Sequence, residues 1–163
     1  MNATSLIIRE IRPSDNAAIA RIIRRVLEDF GVPKTGSSYA DPLLDDLHTY
    51  YNKDRAVYFI IEYKGIPLGG AGITPLENYT GNVCELQKMY FEPSVRGKGF
   101  GARLLQKCLE SAVDFGYEAC YLETMPYMKA AQTLYQRFGF EYLEGSMGDT
   151  GHTVCPVWML KKL

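Results

Sequence analysis

Apolar residues recur along this chain in two rhythms, one of about 3.6 residues and one of two, and the changes between them divide it into helices and strands. Ser5 to Ile11 predicts a first strand. Pro13-Ser14-Asp15 then starts a helix whose Ile19, Ile22, Ile23, Val26, Leu27 and Phe30 share one face, and Gly31 and Pro33 end it. Lys34 to Ala40 is a loop, and Asp41-Pro42 opens a second short helix running to about Tyr51. Val57 to Tyr63 and Leu68 to Thr74 predict an antiparallel hairpin around the turn Lys64-Gly65-Ile66-Pro67. Val83 to Phe91 is the next strand. Its apolar phase slips from Cys84 and Leu86 to Met89 and Phe91, which predicts a β-bulge near Gln87 to Met89.

Gly101 to Phe115 predicts a helix burying Leu104, Leu105, Cys108, Leu109 and Ala112, with Gly116 as its stop. A strand at Glu118 to Thr124, a helix at Lys129 to Phe138 closed by Gly139, and strands at Phe140 to Leu143 and Val154 to Leu160 complete the series. The order β-α-α-β-β-β-α-β-α-β-β fits a mixed α/β (α+β) sheet flanked by helices. A right-handed crossover through the Gly101 helix makes the Val83 and Glu118 strands a parallel pair.

Composition narrows the class. At 163 residues the chain suits a single domain spanning 1–163, able to bury roughly two thirds of its unfolded surface. Its 18 basic and 19 acidic residues give a net charge of -1, so nothing draws it globally to nucleic acid or to an anionic membrane. Any phosphate binding must therefore be local. No export signal and no apolar run near bilayer length stand in the sequence, which predicts a cytoplasmic protein. Cys84, Cys108, Cys120 and Cys155 lack CxxC spacing and sit in or beside apolar runs, favouring reduced thiols over zinc ligands, and no metal is expected.

One segment carries chemistry. Val95-Arg96-Gly97-Lys98-Gly99-Phe100-Gly101 lies between a strand and a helix, where unpaired N–H groups and a partial positive charge meet phosphate, and glycines let it approach. A P-loop would need Ser or Thr after Gly97-Lys98, but Gly99 stands there. A dinucleotide fingerprint would need a glycine where Leu104 stands. What matches is Arg/Gln-x-x-Gly-x-Gly/Ala, supplied by Arg96, Gly99 and Gly101. With the preceding "ELQKMYFEPSV" and the later "AAQTLYQRFGF", the chain resembles the GNAT superfamily of acyl-CoA-dependent N-acyltransferases.

The resemblance implies a central, mostly antiparallel twisted sheet of about seven strands with one parallel, splayed pair, flanked by about four helices, and a pantetheine arm lying in the splay. It implies acetyl-CoA as co-substrate. The diphosphate would rest on the backbone of Arg96, Gly97, Lys98, Gly99, Phe100, Gly101 and Ala102, with charge added by Lys98 and Arg103, and main-chain groups of Met89, Tyr90 and Phe91 would hold the pantetheine and acyl carbonyl. Glu85 is the general-base candidate, the plain alternative being a surface glutamate on a strand. Tyr135, three residues before Phe138-Gly139-Phe140, is the general-acid candidate, the alternative being an aromatic packed on the sheet. Many relatives carry asparagine seven residues before that tyrosine; here Met128 takes the place, and its contact is absent, made by backbone, or taken by Tyr127 or Lys129.

The acceptor would be a primary amine on a small molecule or peptide. Lys34 to Tyr51 and the region from Ser146 to Pro156 would recognise it, with Tyr39, Tyr50, Tyr51, Asp41, Asp45, Asp46 and His152 as candidates and the acids attracting a cation, the plain alternative for each being a solvated, polar helix and loop. A homodimer is left open. The competing class is a non-catalytic acyl-CoA-binding regulatory or partner-binding module on the same fold, with a nucleotide-phosphate-binding protein behind it.

Overall fold

The computed structural model describes residues 6–35, 37, 39–150 and 155–163. Strand β1 (Leu6–Glu10) leads into helix α1 (Asn16–Asp29), and a 3-10 turn at Pro42–Asp46 leads into the short helix α2 (Leu47–Tyr51). Then follow β2 (Val57–Tyr63), β3 (Ile66–Pro75), β4 (Val83–Phe91), α3 (Phe100–Asp114), β5 (Ala119–Thr124), α4 (Lys129–Arg137), β6 (Glu141–Tyr142) and β7 (Val157–Lys162). The strands form one seven-stranded sheet in the order β1-β2-β3-β4-β5-β7-β6, antiparallel except for β4 and β5.

Both faces of the sheet are covered, which is why β2 reads as a continuous apolar run. Val57, Phe59 and Ile61 turn toward a core completed by Leu104, Leu105, Cys108 and Ala112 of α3, and by Cys84, Leu86, Cys120 and Leu122. Tyr58 and Ile60, one residue out of phase, turn the other way onto Ile19, Ile23 and Leu27 of α1 and Leu44 and Leu47 beside it. Helix α1 ends sooner than its apolar spacing predicts. Phe30 is its C-cap and 41% exposed, because Gly31 at φ +66 turns the chain away from the sheet.

Among the other boundaries that differ from the sequence reading, the strand expected at Phe140 to Leu143 shortens to Glu141–Tyr142, and two more have a visible local cause. The β2–β3 turn is Lys64-Gly65 alone, both with positive φ as a tight hairpin requires, and Ile66 and Pro67 already pair with Tyr63 and Glu62. The last strand begins at Val157, after Pro156, which has no N–H to give the ladder; Val154 lies outside the described residues.

The β4–β5 pairing determines where a ligand could enter. Parallel partners run only from Val83–Ala119 through Glu85–Tyr121. Beyond them β5 stays paired with β7 as far as Thr124, and β4 stays paired with β3 as far as Phe91, so the two strands part. The bulge is where the apolar phase slips. Gly70 faces Tyr90 and Gly72 faces Gln87, leaving Ala71 opposite both Lys88 and Met89, with Lys88 at φ +52. Tyr58 crosses behind β3 and donates its hydroxyl to the Lys88 carbonyl at 2.8 Å. That crossing needs bare backbone: a Cβ at Gly70 would come within 2.5 Å of the Tyr58 ring, and one at Gly72 within 2.6 Å.

Candidate active site

A cleft of about 400 Å³ occupies the gap between the parted strands. One wall is β4 from Lys88 to Phe91, and the other is Leu122 to Met125 with the first turns of α4. At one end lies the start of α3. Gly97 and Gly99 have φ +70 and +81, and Gly99 caps the helix without any side-chain hydrogen bond to its first turn. A Cβ at either glycine would meet no atom within 4 Å, so backbone conformation, not crowding, calls for glycine here. The outcome is a bare helix N-terminus beside the cleft.

The predicted phosphate-loop residues divide in two. Arg96, Gly97 and Gly101 line the cleft, whereas Phe100 buries its ring in the core and Ala102 and Arg103 line a separate shallow depression on the outer side of α3. The expected extra charge is tied down: Lys98 Nζ donates to the Ser94 carbonyl at 2.7 Å, and the Arg103 guanidinium stands 5.5 Å from the Phe100 ring centroid. Arg96 Nε donates to the Phe91 carbonyl at 3.0 Å and so fixes the chain leaving β4.

Met89, Tyr90 and Phe91 all line the cleft, as does Tyr135. The Tyr135 hydroxyl reaches Met89 Sδ at 3.9 Å, while its ring packs 5.8 Å from that of Phe140. Burial drives its pKa well up, so the phenol holds its proton until a stronger base arrives. Met128 caps α4, accepts from Thr124 Oγ1 at 3.7 Å through its sulfur, and shares the wall with Tyr127 and Lys129.

Glu85 sits on the α1 side of β4, 2% exposed. Burial pushes its pKa up to about 8, against the opposing pull of a 2.6 Å hydrogen bond from Gln87 Nε2. The surface alternative is thus excluded for this residue. Gln87 in turn accepts from the Tyr51 hydroxyl at 2.9 Å. Glu85 stands behind the cleft wall; among the described residues the carboxylate that lines the cleft is Glu123 on β5. Glu123 accepts from the Tyr121 hydroxyl at 2.7 Å and from Thr150 Oγ1 at 2.9 Å, and its pKa is also raised, chiefly by burial.

All three predicted acceptor-side acids are already engaged. Asp45 pairs with Arg24 at 2.7 Å, Asp46 accepts from Asn16 at 2.9 Å, and Asp41 pairs with Lys88 at 2.8 Å. Tyr39 donates to Glu28 and Tyr50 to Glu77. Helix α1 and strand β4, 21 to 47 residues away along the chain, supply the partners of the acids, and none of the three acids lines the cleft, where among the described residues the carboxylate comes from β5. His152 lies outside the described residues. Glu123, Gln87 and Lys88 are not among the site residues that the sequence pattern predicts, although the last two lie in the predicted bulge. Glu123 was within reach, because the parallel register that sets Glu85 beside Tyr121 sends Glu85, Gln87, Tyr121 and Glu123 to one face.

A model of the acetyltransferase (GNAT) family matches residues 20–140. The chain belongs to this family. GNAT membership places it among acyl-CoA-dependent N-acyltransferases. It is 42% identical over 160 residues to the uncharacterized N-acetyltransferase YjgM of Escherichia coli (strain K12), covering 98% of this chain and 96% of that one. Among solved structures, a GNAT acetyltransferase from Staphylococcus aureus Mu50 superposes with a TM-score of 0.83 at 19% identity over 97% of this chain and 99% of its own. The acetyltransferase yncA from Salmonella typhimurium, solved with its cofactor acetyl-CoA, gives 0.77 at 19% identity over 98% and 94%. These likenesses show the GNAT fold, with its seven strands and one parallel, splayed pair. Among the described residues no helix is long and apolar enough to cross a membrane.

Proposed function

We propose that the protein transfers the acetyl group of acetyl-CoA to a primary amine of a small molecule or peptide by direct attack on the thioester. The observation that carries this reading is the convergence on one cleft of a bulged strand, a glycine-capped helix N-terminus and the buried phenol of Tyr135. The backbone of Arg96, Gly97 and Gly101 would receive the diphosphate, and the cleft-facing edge of Met89, Tyr90 and Phe91 the pantetheine. The solved yncA complex with acetyl-CoA supports the choice of donor.

In the reaction the amine nitrogen bonds to the carbonyl carbon, the C–S bond breaks, and the departing thiolate takes the Tyr135 hydroxyl proton. Glu85 takes the proton lost by the amine. Its carboxylate is behind the wall, so the transfer runs through water. Thr74 Oγ1 supports that route: it is buried without a hydrogen-bond partner among the described residues, and the register sets it beside Glu85. Reaction in the cytoplasm agrees with three buried, free thiols, Cys84, Cys108 and Cys120. The unbroken sheet agrees with one domain.

Thiol release from acetyl-CoA across polyamines, amino acids, aminoglycosides and peptide N-termini tests the proposal, alongside calorimetry with coenzyme A. Release that depends on one class of amine supports it. Coenzyme binding with no release for any acceptor would favour the non-catalytic module, and no heat with coenzyme A would remove both readings.

A further inference from the structure

Lys88 is a buried cation that the acetyl-transfer chemistry above leaves unused. Its side chain is 2% exposed, and the residue lines the cleft. It occupies the bulge at φ +52, a left-handed conformation costing a residue with a Cβ on the order of 1 kcal/mol, and the Tyr58 hydroxyl on its carbonyl holds it there. Among the described residues Asp41 Oδ2, at 2.8 Å, is the one hydrogen-bond acceptor of its ammonium. The Tyr50 ring lies farther off, 5.9 Å away. An ammonium carries three N–H bonds, and leaving them unmet out of water is costly. A strained backbone, a desolvated charge and donors beyond the one Asp41 engages, all at one cleft residue, suit it to binding an anion.

We propose that Lys88 is the anion subsite for the acceptor, and that the acceptor is accordingly a primary amine bearing a carboxylate, of the amino-acid class, its carboxylate on Lys88 and its ammonium toward Glu123 on the facing wall. This rests on the acetyl-transfer reading of the same cleft. The coenzyme's phosphates are not the anion, because the bare helix end that suits them is at Gly97–Gly101, whereas the Lys88 ammonium is held at Asp41 and lies 5.9 Å from the Tyr50 ring. Charge separates carboxylate from phosphate. With Asp41 already neutralising Lys88, a monoanion adds a single uncompensated charge and a phosphate dianion adds two. Glu123 supplies the complementary sign for the ammonium from a second strand, so the cleft has opposite charges on opposite walls.

The test compares L-alanine, L-methionine and L-phenylalanine with their carboxamides as acceptors, in the wild-type protein, Lys88→Met, Lys88→Arg and the double variant Lys88→Met/Asp41→Asn, which avoids stranding a buried aspartate. The readout is the acid-to-amide ratio of kcat/KM, which cancels the different basicities of the two amines when variants are compared. Lys88→Met and the double variant should lower that ratio by about tenfold or more, mainly through KM, and Lys88→Arg should retain most of it. An unchanged ratio in both Met-containing variants, or a wild-type protein that acetylates only the amides, would overturn the proposal. If coenzyme A binds but nothing is acetylated, the acetyl-transfer reading has failed. Calorimetry of the coenzyme-loaded protein with the same acids and amides then decides separately, Lys88-dependent heat with the acids upholding the subsite and its absence overturning it.

Discussion

Alternate residues of β4 and β5 belong to two different regions. Cys84, Leu86, Cys120 and Leu122 face α3 and join an apolar core. Glu85, Gln87, Tyr121 and Glu123 face the other way and are held by side-chain hydrogen bonds of 2.6 to 2.9 Å. On the first face removal from water is itself stabilising, and nothing directional is required. On the second, burial opposes stability unless each polar group finds a partner, and for Glu85 it does so only by favouring the protonated carboxyl. The two-residue period of a strand lets the same short segments serve both ends.

The contrast can be broken first on the apolar side. Leu122→Ala should cost about 2–5 kcal/mol in chemical denaturation, since Leu122 is 1% exposed and its loss leaves a cavity. A loss below about 1 kcal/mol would show that this face is loosely packed. On the chemical side, Tyr135→Phe should lower kcat by about two orders of magnitude while coenzyme affinity in calorimetry stays nearly constant. An unaltered rate would remove Tyr135 from the mechanism.

Glu85 sharpens the comparison through pH. A base with its pKa near 8 is about one-tenth ionised at pH 7, so kcat/KM should climb about tenfold toward pH 9, and Glu85→Gln should abolish that limb. Stability runs in the opposite direction. Because the folded value exceeds the unfolded one, the proton held by Glu85 contributes fully below about pH 4.5, and this contribution is lost as pH rises through about 8. Urea midpoints should therefore show Glu85→Gln gaining on the wild-type protein between pH 6 and 9. Gly99→Ala should have the smallest effect, about 1 kcal/mol in thermal unfolding, because φ +81 is unfavourable for alanine although its methyl meets no neighbour.

Much of the architecture was legible in the sequence because it depends on local rhythm. The bulge at Lys88–Met89 could be read from the slip in apolar phase, and the α3 start from Gly97 and Gly99. The loop before α2 could not be read in this way. Whether Asp41 or Asp45 faces solvent, substrate or a cation depends on Lys88 and Arg24, which lie 47 and 21 residues away along the chain. Phe30 shows the same limit, since its spacing says helix face while the turn at Gly31 decides exposure. For Glu85 the residue was evident, but its seclusion behind Gln87 and Tyr51 depended on packing between α2 and the sheet. Glu123 shows the converse: its position was implicit in a strand register that the topology already contained.

The Tyr58 hydroxyl on the Lys88 carbonyl has a consequence for how this molecule could change over generations. The shape of the reactive end is anchored by a ring lying flat on Gly70 and Gly72, neither of which borders the cleft. A saturation library scored for turnover should therefore report those two positions as nearly immutable, and a survey confined to the vicinity of the substrate would overlook them. Tailoring this scaffold to new acceptors would best begin elsewhere, leaving that hidden hinge pin alone.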